Sequence, residues 1–175
     1  TCLVNPKAAY ETELVSVPVA KDKAKRVAVI GAGVAGLAFA EAAAQRGHHP
    51  EIFEAADQIG GQFNLAAQIP GKEDYGETLK YFSRRLEVLE VPVHLNTRAD
   101  VDELKTKFDH VIVATGVTPR IPGIDGIDHE KVIRYDELLS GAKQAGNKVA
   151  VIGAGGIGVD AVSYTHLRAH ETDSY

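Results

Sequence analysis

Glycine recurs at Gly31, Gly33 and Gly36, between the apolar run Arg26-Val27-Ala28-Val29-Ile30 and an alanine-rich stretch from Leu37 to Gln45. That spacing, Gly-x-Gly-x-x-Gly, serves three physical needs: a tight turn, close approach of backbone to a phosphate, and close packing of helix on strand. A helix that begins there aims free N–H groups and a partial positive charge at the same point. Some twenty positions on, the run His49-Pro50-Glu51-Ile52-Phe53 ends in Glu54, near the distance at which a carboxylate meets an adenosine ribose diol. Together these residues can hold a dinucleotide. A carboxylate at that place repels a 2′-phosphate, so the site suits FAD or NAD and disfavours NADP. The bland alternative for Glu54 is a solvated acid at a strand end.

Three further groups could serve the same chemistry. Ile59-Gly60-Gly61-Gln62-Phe63-Asn64 turns the chain back toward a ligand, and Gln62 could donate to a phosphate or ribose oxygen; an ordinary glycine turn is the alternative. Ala114-Thr115-Gly116 ends an apolar run with small residues, either beside a cofactor or as a plain strand exit. The opening motif then returns as Lys148-Val149-Ala150-Val151-Ile152, followed by Gly153, Gly155, Gly156 and Gly158. Two such loops in one chain imply two dinucleotides, as in enzymes that pass hydride from a nicotinamide to a flavin.

The elements that must position these groups are strands and helices in alternation, the pattern of an α/β fold with a Rossmann-like parallel sheet. Strands are predicted at 26–30, 49–54, 91–96, 108–116 and 148–152. Helices are predicted from Leu37 to Gln45, closed by Gly47 as a C′ glycine, and over Tyr75 to Leu89, where Tyr75, Leu79, Phe82 and Leu86 fall at core spacing. A short helix is predicted over Asp136 to Leu139. Residues 1–24, with Pro6, Pro18 and a polar Lys21-Asp22-Lys23 run, read as an extended connector. Residues 25–118 form the first nucleotide lobe and 119–147, rich in Pro and Gly, a hinge-like crossover. Residues 148–161 open a second, NAD(P)-binding lobe as its first strand-turn-helix, and its cofactor-choosing residue falls near position 173; nothing after Gly158 reads as a sustained helix followed by a strand.

The bulk numbers set the class. The 175 residues carry 19 Lys and Arg against 24 Asp and Glu, a net charge of −5, which gives no reason to expect nucleic acid as a partner. No apolar run is long enough to span a bilayer and no signal peptide is visible, so the expected setting is cytoplasmic and away from membranes. One cysteine rules out an internal disulfide framework. Methionine is absent even at position 1, which reads as an internal piece of something longer.

With both glycine loops, Cys2-Leu3-Val4-Asn5-Pro6, Ile59 to Asn64 and Ile69-Pro70-Gly71-Lys72 in view, residues 1–161 resemble the middle of bacterial-type NADPH-dependent 2,4-dienoyl-CoA reductases. More broadly they resemble iron–sulfur NADH:flavin oxidoreductases that carry an old-yellow-enzyme barrel. The resemblance implies an FAD lobe of the disulfide-reductase type with an NAD(P)H lobe inserted in it. It also implies an FMN barrel and a [4Fe–4S] cluster upstream, and an unsaturated acyl-CoA substrate. By position, Gly31, Gly33, Ala35 and Gly36 match the FAD pyrophosphate loop and Glu54 the ribose acid. Gly61, Gln62, Lys72, Ala99, Thr115 and Gly116 match segments near FAD. Gly153, Gly155, Gly156 and Gly158 match the NADPH (or NADH) loop, and Cys2 the fourth cluster ligand. The family's catalytic acid/base residues match nothing here. Alone, the chain is expected to bind FAD weakly and to lack dienoyl-CoA reductase activity. Other readings are a trimethylamine-dehydrogenase-like protein, a glutamate-synthase-small-subunit-like electron-transfer partner, and a non-catalytic nucleotide-binding module. Residues 162–175, Val162-Ser163-Tyr164-Thr165-His166-Leu167-Arg168 onward, depart from the family pattern. They resemble the in-frame translation of a transposon-end sequencing adapter, so His166, Arg168 and His170 are assigned no metal or phosphate role.

Overall fold

A computed structural model describes Asn5 and residues 7–171, with side chains through His166. The chain divides into two compact units: residues up to Phe63 together with Gly76–Gly116, and Asn64–Tyr75 together with residues from Val117 onward.

In the first unit a parallel sheet has the order β3-β2-β1-β4, with β1 Arg26–Ile30, β2 His49–Phe53, β3 Val93–His94 and β4 His110–Val113. The two last strands are shorter than the sequence predicts, and each ends opposite the last residue of its partner, β3 at Phe53 and β4 at Ile30. Helix α1, Val34–Gln45, connects β1 to β2 and stops at Gly47, whose φ of 83° is the left-handed conformation expected of a C′ glycine. Pro50 is tolerated inside β2 for a geometric reason. Its missing N–H falls on the β3 side, as those of Ile52 and Glu54 do, and that pairing begins only at Ile52, which donates to Pro92 O at 2.9 Å.

The two faces of the sheet bury alternate residues, as a period of two requires. Val29 and Ile52 pack under Leu37 and Ala40 of α1 and under Phe82 and Leu86 of α3, Asp74–Val88. Ala28 packs on the other side with Phe108 and with Leu104 of α4, Val101–Lys107. There Arg26 lies 5.1 Å over the Phe108 ring, Phe108 meets Phe53 edge-on, and Phe53 stacks on His94. The small side chains of α1 let it sit close to β1 and β2. Its one buried acid, Glu41, accepts from Gln45 Nε2 at 2.9 Å, Tyr81 Oη at 2.9 Å and Arg85 Nε at 2.7 Å. Thr78, fully buried on α3, has a hydroxyl with no hydrogen-bond partner among the described residues.

The described part of the N-terminal connector does not run free. Val19 N–H donates to Arg46 O at 2.8 Å, and Lys7 Nζ donates to Ser16 Oγ, which in turn donates to Gln45 Oε1 at 3.2 Å. A single 3-10 turn spans Lys21–Lys23.

In the second unit α5, Tyr135–Leu139, and α6, Gly156–Glu171, bring Leu139 and Tyr164 against Ile69. Helix α2, Gln62–Ala66, contributes Leu65 to that cluster. One expectation is corrected here. The predicted strand at 148–152 forms no ladder: a parallel strand needs neighbours for its N–H and C=O groups, and none pairs with it among the described residues, so Val149, Val151 and Ile152 stay exposed. The helix expected to follow the second glycine loop is present as α6, which runs for four turns and continues through residue 162 unbroken; no strand follows it among the described residues. No helix among the described residues is long and apolar enough to cross a membrane.

Candidate nucleotide-binding site

The carboxyl ends of β1, β2 and β4 converge on the first glycine loop. Gly31 N–H donates to Phe53 O and Ala114 N–H to Ile30 O, both at 2.8 Å, so the turn is pinned to strands on either side. Gly31 has φ 105°, and a Cβ there would lie 2.4 Å from Ala114 O. A Cβ on Gly36 would lie 2.0 Å from Gly31 O. Glycine is therefore required sterically at both positions by the fold itself. Gly33 differs: it is the N-cap of α1 in an extended conformation, and a Cβ there meets nothing within 4 Å. The space over the turn at Gly33 is open. Leu37 N–H is bonded to Gly33 O at 3.0 Å, which leaves the N–H groups of Val34, Ala35 and Gly36 without intrahelical acceptors. These are the donors an anion at this turn would take up.

A second layer of glycines closes on the loop. Gly60 N–H donates to Ala32 O at 2.8 Å, Gly33 and Gly60 form a parallel bridge, and a Gly61 Cβ would stand 3.5 Å from Gly33 Cα. Gly60 and Gly61 both hold positive φ. Gln62 opens α2 immediately afterwards.

Glu54 is fixed by backbone. One carboxylate oxygen accepts from Ala32 N–H at 2.6 Å and the other from Ala56 N–H at 2.8 Å. A carboxylate oxygen has two lone pairs, so each retains one acceptor position. Beside it lies a cleft of about 410 Å³ bounded by Ile30, Gly31, Phe53, Val113, Ala99 and Thr115. Ala99 is also partly buried against the Ala28–Phe108 cluster. Thr97 and Arg98 line the same cleft; the sequence reading passed them over, although they adjoin Ala99 and precede Asp100, an N-cap whose side chain accepts from Asp102 and Glu103 N–H. Gly116, at φ 71°, turns the chain out of the sheet just beyond Thr115.

The second loop repeats the first in its own unit. Gly153 has φ 112°, helix α6 starts three residues later at Gly156, and a Gly158 Cβ would lie 2.4 Å from Gly153 O. Unlike Gly31, neither Gly153 nor Gly155 has any atom within 4 Å of its added Cβ. Lys72, in the second unit, pairs with Asp160 of α6 at 2.6 Å. Cys2 lies outside the described residues.

Comparison with known proteins shows the family. The family model described as pyridine nucleotide-disulphide oxidoreductase matches residues 25–173. The chain is 38% identical over 168 residues to a metal reductase of Desulforamulus reducens, covering 91% of this chain and 24% of that protein. It is 35% identical over 167 residues to a bilirubin reductase of Mediterraneibacter gnavus, covering 91% and 25%. Among solved structures, a 2-naphthoyl-CoA reductase in complex with 2-naphthoyl-CoA superposes with a TM-score of 0.87 at 35% identity, over 96% of this chain and 26% of that one. The chain thus spans about a quarter of the length of these relatives.

Proposed function

The chain belongs to the pyridine nucleotide-disulphide oxidoreductase family, and from that premise we propose that it holds FAD at the first glycine loop. In this reading it forms the nucleotide-handling part of a flavin-dependent reductase that draws hydride from NADPH or NADH. FAD, when bound, supplies the hydride-accepting chemistry. The residues of the chain bind, orient and shield it. The first-turn N–H groups of α1 take up the pyrophosphate, the space over Gly33 admits it, and Glu54 offers its remaining lone pairs to the ribose diol. Thr115 and Ala99 wall the cleft, and Gln62, Gly61 and Gly116 flank the remainder of the cofactor; Lys72, paired with Asp160 within the second unit, is given no part in it. The second loop, Gly153 to Gly158, takes the nicotinamide dinucleotide.

The observation that carries the reading is Glu54, tied through Ala32 N–H to the phosphate turn and bordering the cleft. An acid merely solvated at a strand end would not be anchored to the glycine loop. For the whole protein we propose reduction of an unsaturated acyl-CoA such as a 2,4-dienoyl-CoA, a class supported by the likeness to the naphthoyl-CoA reductase. An FMN site and a [4Fe–4S] cluster belong in this proposal to segments outside the present residues. A cluster needs four cysteine thiolates, and the single cysteine here, Cys2, does not provide them.

Titration of the purified chain with FAD, ADP and FMN, followed by backbone amide shifts, tests the assignment. FAD and ADP are expected to move the Gly31–Gly36 amides and to compete, with FMN leaving them unchanged. Silence of these amides at millimolar ADP refutes the site. The acyl-CoA assignment is tested on the full-length protein, where NADPH oxidation must depend on an added 2,4-dienoyl-CoA.

A further inference from the structure

We infer that Arg98 closes the nucleoside end of the cleft by laying its guanidinium against the adenine, an inference that rests on the site proposed above. The cleft is bounded by Gly31 but by neither Gly33 nor Val34, so it lies on the nucleoside side of the phosphate turn. Its walls are apolar, Ile30, Val113, Ala99 and Val101, and it carries two charged groups, Glu54 and Arg98. These two do not pair with each other. Both oxygens of Glu54 are held by Ala32 and Ala56 N–H. Arg84 pairs with Glu87, Arg85 with Glu41 and Arg134 with Asp136, and Arg26 covers Phe108; the side chains of Arg46, Arg98 and Arg120 make no hydrogen bond or ion pair among the described residues, and of these three Arg98 lines the cleft.

The backbone that carries Arg98 is fixed on both sides. Asn96 N–H donates to Ala56 O and Thr97 N–H to Glu54 O, each at 2.8 Å, and Asp100 caps α4 with its own side chain. An arginine on a pinned strap, at the rim of an apolar slot, has no fold partner to serve. A planar cation can cover the face of an aromatic base, and its plane is preorganised for that contact. The opposing apolar wall suits the other face of a purine. The phosphates are handled by the amides of the glycine turn, so Arg98 is a positioning residue for the base.

Binding of ADP, ribose 5-phosphate and inorganic pyrophosphate to the wild-type chain and to Arg98→Ala, Arg98→Lys and Glu54→Gln separates the possibilities. Arg98→Ala is expected to weaken ADP five- to tenfold and to leave ribose 5-phosphate and pyrophosphate unchanged, with an unaltered thermal melt. Arg98→Lys should recover only part of the loss, since an ammonium lacks the stacking plane. Equal loss for ADP and pyrophosphate makes Arg98 a phosphate clamp and overturns the inference, as does wild-type affinity in Arg98→Ala. If wild type binds ADP, only the role of Arg98 is at stake. If wild type shows no ADP response at Gly31–Gly36, the FAD site itself is refuted.

Discussion

Alanine at Gly36 and alanine at Gly33 should fail in opposite ways. At Gly36 the added Cβ would stand 2.0 Å from Gly31 O, a backbone atom that cannot rotate away. The turn would have to open, yet its ends are fixed by Gly31 N–H on Phe53 O and Ala114 N–H on Ile30 O. Overpacking costs about 1–3 kcal/mol and a weakened backbone hydrogen bond about 1 kcal/mol. Replacing a helical glycine by alanine returns about 1 kcal/mol. The net expectation is a loss of about 1–3 kcal/mol, or roughly 5–20 °C in the melting temperature of a unit of this size. Gly33 has φ −70° and ψ 171°, which alanine adopts freely, and open space around it. There the cost is the difference between Gly and Ala at an N-cap, about 0.5–1 kcal/mol. The methyl would instead project into the space proposed for the pyrophosphate, so ADP should bind at least about tenfold more weakly, about 1.4 kcal/mol. Circular-dichroism melts and ADP titrations of both variants give the comparison. A Gly36→Ala protein as stable as wild type, or a Gly33→Ala protein with undiminished ADP affinity, would falsify this division of roles.

Two other expectations follow from the packing. Burial first, and then the hydrogen bond to Glu41, push the Tyr81 phenol above its ordinary value; its stabilising contribution is present below the unfolded phenol's pKa and lost as pH rises through the raised folded value. Glu41→Gln should therefore lower the Tyr81 midpoint in an ultraviolet titration, and Glu41→Ala should cost about 1.5–3 kcal/mol, towards the lower end because Arg85 is partly exposed. Val29→Ala, at a fully buried position, should cost about 2–3 kcal/mol by urea denaturation, while Val151→Ala, at the matching place in the second motif, should stay within about 0.5 kcal/mol because that side chain is 45% exposed.

Local sequence patterns carried most of the first unit. The β-branched run at Val27–Ile30, the glycine turn, the alanine helix and Gly47 each fix a neighbour's backbone by short-range sterics, so their order could be read directly. The spacing from Gly31 to Glu54 was legible for the same reason. What Glu54 bonds to was not, because the Ala32 amide comes near it only when β1 and β2 pair. Glu41 was invisible on similar grounds: in the sequence it is one acid in an alanine helix, and only the packing of α3 brings Tyr81 and Arg85 to it. Arg98 carried no motif of its own. The length of helix α6 was not legible because Gly156, Gly158, Val159, Val162 and Thr165 are individually poor helix formers, while Tyr164 gains its stability from Ile69 and Leu139, distant in sequence.

The twin loops separate what a glycine motif specifies from what a binding site needs. Both turns share a first glycine at φ 105° or 112°, a helix starting three residues later, and a third glycine whose Cβ would strike the first glycine's carbonyl. That geometry arises from five or six consecutive residues and forms whether or not the preceding strand is paired. Walls do not. Gly31 lies against Ala114 and Thr115 because β4 pairs with β1, and Glu54 reaches Ala32 because β2 pairs on the other side. The Gly153 turn has no such neighbours among the described residues, and the run before it keeps Val149, Val151 and Ile152 exposed. A motif scan weights the two loops equally, but pairing gives the first a cleft with a carboxylate and a cation at its rim. Ligand affinity at the first loop should therefore depend on residues 54 and 97–99 as strongly as on its glycines.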